Sequence, residues 1–425
     1  MMSKGNKITR RQFVKTMGQG ALAAGIGGGI LPNVVLAKSS SNKPIKFGQL
    51  NTTSGIMAGQ GQPGMNGAKI AEAIINANGG IMGRKLEIIQ EDDQVKPNIG
   101  VRKFRKLVLE DEVDFVFGTN SSGVGLACVP LANEFKKIFI ATSMSDKYTE
   151  DKCSPYVFRI GESTSMASKA SAYCMVKNEP DVKKWAGINP DYVFGHESWD
   201  YFKQGMAEKK ADITYVHEAF APFGAEDYKP YITAILESGA DGVFTSLWTG
   251  DLINFIKQAK PFGFFNKVKA FVNNTTAHAT AVGLGDEMVS FWGEARYYPF
   301  YRNTPINNEY IKMYRDKFGT YPAADVGAEC YATVMALKLA IEKAGTTDTP
   351  QVIKALEGLE YEVPEGKKWI RPEDHSGIDQ VVLLGKFHKD PKYPFWVYDP
   401  KTYFTVDGKA VAMPLDKSKC KMKSL

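Results

Sequence analysis

Two short hydroxyl-rich segments hold the residues best placed to do chemistry. Thr119-Asn120-Ser121-Ser122-Gly123 and Ser143-Met144-Ser145-Asp146 each follow an apolar run, and the first leads directly into a helical pattern. Hydroxyls gathered with backbone N–H groups at a helix start can cradle a carboxylate. The same residue types also cap helices and turns, and spacing does not separate the two uses. Covalent and metal chemistry find no comparable footing. The chain has no Gly-x-Ser-x-Gly elbow, no His-Glu-x-x-His pair, no Walker A lysine and no Gly-x-Gly-x-x-Gly turn directly following a strand. Its histidines, His196, His217, His278, His375 and His388, lack metal-ligand spacing, and only His278 falls near a candidate loop. Neither a cofactor nor a metal is expected.

The elements that must carry these loops alternate between apolar strand and amphipathic helix. Ile45 to Leu50 reads as a strand, and a helix is expected from Pro63 to the Asn78-Gly79-Gly80 stop. Leu86 to Gln90, a helix from Pro97, Asp114 to Gly118, a helix from Gly123 to Phe135, and Ile138 to Thr142 continue the rhythm. It restarts at Tyr156-Val157-Phe158-Arg159-Ile160 and runs through strands near Trp185, Ile213, Gly242, Ala270 and Val289. Two helices follow, Asn307 to Phe318 and Ala323 to Ala344. The tail reads as strands with a hairpin around Asp407-Gly408. Strands alternating with helices in this way imply α/β architecture, with mostly parallel sheets covered on both faces. Two such blocks without a low-complexity linker imply two lobes.

The N-terminus sets the compartment. Lys4, Lys7, Arg10, Arg11 and Lys15 precede an uncharged, Gly- and Ala-rich stretch from Thr16 to Leu31, and small residues lead to Ala37. This is the layout of a cleavable export signal over residues 1–37. Thr9-Arg10-Arg11-Gln12-Phe13 resembles a twin-arginine signal, making the twin-arginine export machinery a partner and the periplasm the destination. Without those five positive charges the formal charge falls from +6 to +1, which leaves no electrostatic footprint for nucleic acid. The five cysteines, Cys128, Cys153, Cys174, Cys330 and Cys420, show no CxxC spacing. Export permits a disulfide, and Cys128 with Cys153 is the expected pair.

Taken in order, Ile45-Lys46-Phe47-Gly48, Ser54-Gly55, Gly67-Ala68, Asn78-Gly79-Gly80-Ile81, Gly83-Arg84-Lys85-Leu86, Asp92-Asp93, Gly118 with Ser121-Ser122, and Tyr156-Val157-Phe158-Arg159 resemble the periplasmic binding proteins for leucine, isoleucine and valine. Phe194-Gly195, Asp227-Tyr228-Lys229-Pro230-Tyr231-Ile232, Ser238-Gly239-Ala240-Asp241 and Ala340-Ile341-Glu342-Lys343-Ala344-Gly345 extend the resemblance over nearly the whole chain beyond the signal.

The resemblance implies two Rossmann-like lobes joined by a three-strand hinge, with crossings near Phe158 to Gly161, Glu294 to Tyr297 and Ile370 to Gln380. Lobe one would combine residues 44–160 with 297–375, and lobe two 161–296 with 376–425. It implies a monomeric extracytoplasmic protein that captures a small solute and delivers it to an ABC transporter permease. The ligand contacts implied are Ser122, Ser143 and Ser145 at the head group, Phe194 and Trp248 in the second lobe, Thr275, and Gln60 near the ligand side chain. One departure is chemical. No acid occurs in Phe271-Val272-Asn273-Asn274-Thr275-Thr276, where family members neutralise an α-ammonium. Asp146, Asp191 and Asp251 are the substitutes to consider, and an aromatic or aliphatic carboxylate fits without one. Two other readings are an exported cofactor-dependent oxidoreductase and a protein presenting its ligand to a membrane sensor.

Overall fold

The computed structural model describes residues 43–209, 212–275 and 277–422. The expected export signal and Thr276 lie outside them. Five parallel strands form the first sheet: β1 (Ile45–Asn51), β2 (Leu86–Asp92), β3 (Phe115–Gly118), β4 (Phe139–Ala141) and β5 (Val157–Arg159), in the order β2-β1-β3-β4-β5. Between them run α1 (Ala58–Ala77), α2 (Pro97–Leu109) and α3 (Ser122–Phe135). The inner strands β3 (FVFG) and β4 (FIA) are apolar and buried throughout because both faces are covered, whereas the edge strand β2 carries Glu87, Gln90, Glu91 and Asp92. Phe115, Phe117 and Ile140 point into one core, whereas Val116, Phe139 and Ala141 point into the other with Phe104 and Leu107 of α2.

After β5 the chain builds α4 (Thr164–Asn178), β6 (Lys184–Pro190), α5 (Val193–Lys209), β7 (Thr214–Ala221), α6 (Lys229–Glu237), β8 (Gly242–Thr245), α7 (Gly250–Ala259), α8 (Phe264–Lys267), β9 (Ala270–Asn273), α9 (Ala277–Leu284) and β10 (Trp292–Ala295). It then returns to the first sheet as α10 (Pro305–Phe318), α11 (Asp325–Ala344) and α12 (Thr349–Leu356), whose Tyr310, Val334, Leu337 and Val352 join Ile45, Phe47 and Phe158 in one core. A three-stranded antiparallel sheet follows, β11 (Glu360–Val363), β12 (Gly366–Ile370) and β13 (Gly377–Asp379). The chain ends with β14 (Val381–His388), β15 (Val397–Tyr398), β16 (Phe404–Asp407) and α13 (Gly408–Val411). The second sheet has the order β15-β14-β10-β9-β8-β6-β7, and β16 pairs with β14; β14 pairs antiparallel with β10, β15 and β16, and the other pairs are parallel. The chain therefore passes between the two sheets three times, after β5, after β10 and through β12–β13. No helix among the described residues is long and apolar enough to cross a membrane.

Several expectations need correction. The first helix begins at Ala58 and contains Pro63. Gly59, Gly61 and Gly64 do spell Gly-x-Gly-x-x-Gly, but within that helix and not at its strand turn. A Cβ on Gly61 would lie 1.4 Å from the Thr52 carbonyl oxygen, so glycine here permits close packing of the helix on the β1 loop. No hairpin forms at Asp407-Gly408. Instead Asp407 caps α13, accepting from the Lys409 N–H at 2.8 Å, because β16 pairs with β14 and not with a following strand.

The disulfide joins Cys153 to Cys420, not Cys128 to Cys153. Cys128 faces inward from α3 into the core with Phe104 and Leu107, and burial pushes its thiol up to about 12. Cys153 lies in the loop before β5, where the C-terminal tail crosses it; the neighbouring Lys419 N–H donates to Glu150 at 2.7 Å.

Candidate functional site

The C-terminal ends of both sheets face one cavity, with about 380 Å³ of unfilled space including its mouth. This is where parallel sheets bind ligands, since their loops and helix starts project there. The first sheet contributes Gln60 of α1, Asn120 and Ser122 after β3, and Thr142, Ser143 and Met144 after β4. The second contributes Tyr192 and Phe194 after β6, Trp248 after β8, Thr275 after β9 and Arg296 after β10. Val326 at the start of α11 completes the wall.

Hydrogen bonding fixes which hydroxyls can reach a ligand. Tyr148 donates its only proton to the Ser122 carbonyl at 3.1 Å. The 2.7 Å contact between Ser143 and Tyr148 therefore uses the Ser143 proton. The 3.2 Å contact with Thr119 then fills an acceptor site on Ser143. Burial raises the Tyr148 hydroxyl above its usual range, so it keeps its proton. Ser122, the first residue of α3, makes no such side-chain bond among the described residues, so its hydroxyl can donate toward the cavity. Two threonines beside lining residues hold positive φ, Thr119 at 70° next to Asn120 and Thr249 at 48° next to Trp248. Such conformations are costly for a β-branched residue and gather at ligand-binding loops.

The lobes are closed on each other. Met57 and Met144 pack with Ala167, Phe194 and Trp248 in one small apolar cluster, and Phe223 lies against Trp248 at 5.5 Å between ring centres. Asp146 caps α4 across the junction, accepting from the Ser165 N–H at 2.8 Å and its hydroxyl at 2.6 Å. The Thr164 N–H donates to the Met144 carbonyl at 2.8 Å. The structure thus gathers Gln60, Ser122, Ser143, Phe194, Trp248 and Thr275 around one space. Ser145 is not among the lining residues. Its hydroxyl accepts from the Lys147 N–H at 3.3 Å and faces Glu197, which burial, with Asp146 adding to it, pushes up to about 8.

Arg296 lines the cavity and was not among the residues that the sequence reading singled out. Its Nε donates to Asp325 and Nη1 to the Thr142 carbonyl, at 2.9 and 3.0 Å, and neither bond uses Nη2. Burial opposes its charge, yet the Asp325 and Glu329 carboxylates outweigh that and hold it ionised. The signal was its position directly after a strand, the rule already applied to the serine loops. None of the described lining residues is acidic. Asp146 is committed to its cap, Asp191 pairs with His196 at 2.9 Å on the surface, and Asp251 accepts from the Gly224 N–H at 3.1 Å. Burial pushes Asp251 up to about 6. His278 sits among Tyr298, Phe300 and Phe395, away from the cavity, and burial pushes it down to about 4.

Behind the cavity lies a buried charge cluster where the three passes meet. Lys368 of β12 contacts Glu329 at 3.3 Å and Asp379 more closely. Glu162, just after β5, and Glu294 of β10 bury both carboxylate oxygens without a hydrogen-bond partner among the described residues. Burial first, then neighbouring carboxylates, raises both well above the usual carboxylate range.

A family profile described as "Periplasmic binding protein" matches residues 44–385. Leu/Ile/Val-binding protein homolog 8 of Brucella abortus is 25% identical over 338 residues, covering 76% of this chain and 82% of its own. A periplasmic binding protein from Burkholderia mallei has a crystal structure similar to this fold, with a TM-score of 0.79 at 22% identity, over 90% of this chain and 99% of that one. An ABC-transporter solute-binding protein from R. palustris, solved in complex with 4-hydroxybenzoate, gives a TM-score of 0.77 at 20% identity, over 86% of this chain and 98% of its own.

Proposed function

The chain belongs to the periplasmic binding protein family, and from that premise we propose that it captures a small carboxylate between its lobes and delivers it to the permease of an ATP-driven transporter. The observation that carries this reading is the charge of the cavity, which has one buried arginine, Arg296, and no acidic wall residue. Arg296 and the Ser122 hydroxyl supply charge-assisted donors to a carboxylate, and the N-terminus of α3 adds its dipole. An α-ammonium would be desolvated with no counter-ion, at a cost of several kcal/mol. Phe194, Trp248 and Tyr192 offer flat apolar surface, which favours an aromatic or aliphatic body.

Delivery works by closure. The ligand contributes contacts to both lobes, and its greater affinity for the closed form shifts the population toward the shape that the permease reads. The protein acts as a monomer in the periplasm, reached through a twin-arginine signal, and performs no chemistry on its cargo. Met144, Phe194 and Trp248, drawn from both sides of the cleft, support closure as the working motion.

A thermal-shift screen of leucine, isoleucine and valine against their deaminated keto acids, benzoate and hexanoate tests the reading. A ligand at a hundred times its dissociation constant stabilises by about 2.7 kcal/mol. The acids lacking an amine are expected to raise the melting temperature and the amino acids to leave it unchanged. Stabilisation by leucine alone would overturn the carboxylate reading.

A further inference from the structure

The cavity has two chemically different ends, and their separation follows from the sheet. Arg296 sits beside the β4 loop through its bond to the Thr142 carbonyl. Gln60 follows β1, and its turn lies against the second lobe beside Trp248; a Cβ on Gly59 would lie 3.1 Å from the Thr249 methyl. In the order β1-β3-β4 these two loops are two strands apart, about 10 Å at the usual spacing. Asn120, on the β3 loop, stands between them.

The amide end is unsatisfied. Gln60 is 2% exposed, and its Nε2 has no hydrogen-bond partner among the described residues. Both the Nδ2 and the Oδ1 of Asn120 are likewise buried and unpartnered. Leaving buried polar atoms unpaired is costly, so a site that holds several of them suits an occupant that pairs with them. Both side chains are neutral and can donate and accept, and no charged residue joins them at that end of the wall. They therefore match a hydroxyl or carboxamide better than a second carboxylate or an ammonium.

The geometry points to a second polar subsite, formed by Gln60 with Asn120, that recognises a neutral hydrogen-bonding group on the part of the ligand remote from its carboxylate. This rests on the carboxylate reading above. A single ring carrying carboxylate and hydroxyl on opposite carbons, with a hydrogen bond of about 2.8 Å at each end, spans the distance between the two ends. A site built to pair with a substrate hydroxyl discriminates strongly against the analogue that lacks it, because the site's own groups are then stranded.

Calorimetry with two matched pairs, benzoate with 4-hydroxybenzoate and hexanoate with 6-hydroxyhexanoate, provides the test. In the parent protein at least one hydroxylated member is expected to bind about tenfold or more tighter than its partner. Gln60→Leu should remove most of that preference, read as the ratio of affinities within each pair. Asn120→Ala, at an independent position, should reduce the preference in the same direction. Equal binding within both pairs, or a preference that survives both substitutions, overturns the subsite and leaves the carboxylate reading standing. Failure of all four acids to bind the folded parent overturns that reading and the subsite with it.

Discussion

Among the described residues, the cleft and the hinge both bury polar atoms without a hydrogen-bond partner, but they differ in whether those atoms can titrate in the neutral range. In the cleft they are the neutral amides of Gln60 and Asn120, with Arg296 at the edge. In the hinge they include both carboxylate oxygens of Glu162 and of Glu294. A neutral amide cannot relieve its isolation by changing its protonation, so only an incoming group or water can satisfy it. A buried carboxylate can take up a proton and become neutral. The same structural fault thus suits an incoming group in one region and a raised carboxylate pKa in the other. Counting unpartnered atoms does not find a binding site unless their chemistry is read as well.

Arg296 joins the two regions, and removing it should break the comparison most severely. Arg296→Met leaves Asp325 buried without its partner, and unpairing a buried ion pair costs about 3 to 5 kcal/mol. Chemical denaturation should register this loss in the ligand-free protein. Asp325→Asn in the same background should recover much of the stability but none of the affinity for carboxylates, separating the structural role of the arginine from its role in the cleft.

The Cys153–Cys420 disulfide acts on the hinge side alone. It holds the C-terminal tail, which leaves α13 on the second lobe, against the loop before β5 on the first. Replacing both cysteines by serine should cost about 2 to 4 kcal/mol of stability, measured by thermal or denaturant unfolding. No cleft residue is touched, so the relative order of ligands in a binding screen should not change.

The hinge carboxylates should reveal themselves by pH. Their folded pKa values are raised above the unfolded value near 4.5, so their contribution is fully present below that pH and is lost as pH rises through the folded values. Glu294→Gln keeps the shape and needs no proton. It should leave stability near pH 4 unchanged and raise it at pH 8, as read from melting curves across that range. A destabilised Gln variant at pH 8 would show that Glu294 is ionised and paired with Arg296, and the contrast between cleft and hinge would lapse.

Much of the fold was legible because parallel strands buried on both faces are continuous apolar runs. Phe115-Val116-Phe117-Gly118 and Phe139-Ile140-Ala141 could hardly be placed elsewhere. The start of α1 was not legible, since a Gly-rich segment offers no periodicity and Pro63 imitates a first turn. The helices Ala277–Leu284 and Thr349–Leu356 and the pairing of β11 with β12 also escaped notice, being short elements fixed by tertiary packing. In the site, the loops of Ser122 and Ser143 were readable as segments that follow strands, whereas Gln60, Phe194, Trp248 and Thr275 came only from the family resemblance; the structure places all six on the cavity wall. Arg296 was hidden because it was treated as part of a crossing strand. The disulfide spans 267 residues, and no local pattern encodes such a partner.

The smallest effect separates two serines that the sequence treats alike. Ser143 spends its only proton on Tyr148, which spends its own on the Ser122 carbonyl, so Ser143 can accept from a ligand but cannot donate to a carboxylate. Ser122 has no such commitment and stands at the start of α3, where a donated bond and the helix dipole act together. Ser122→Ala should therefore weaken carboxylate binding by about 1 to 2 kcal/mol with little change in stability. Ser143→Ala should do the reverse, lowering stability by about 1 kcal/mol because Tyr148 loses a buried partner, while affinity moves less. Calorimetry and melting curves on the two variants decide the matter. If Ser143→Ala costs more affinity than Ser122→Ala, the proton order along Thr119, Ser143, Tyr148 and Ser122 runs the other way in the bound state, and Ser143 is the donor to the ligand.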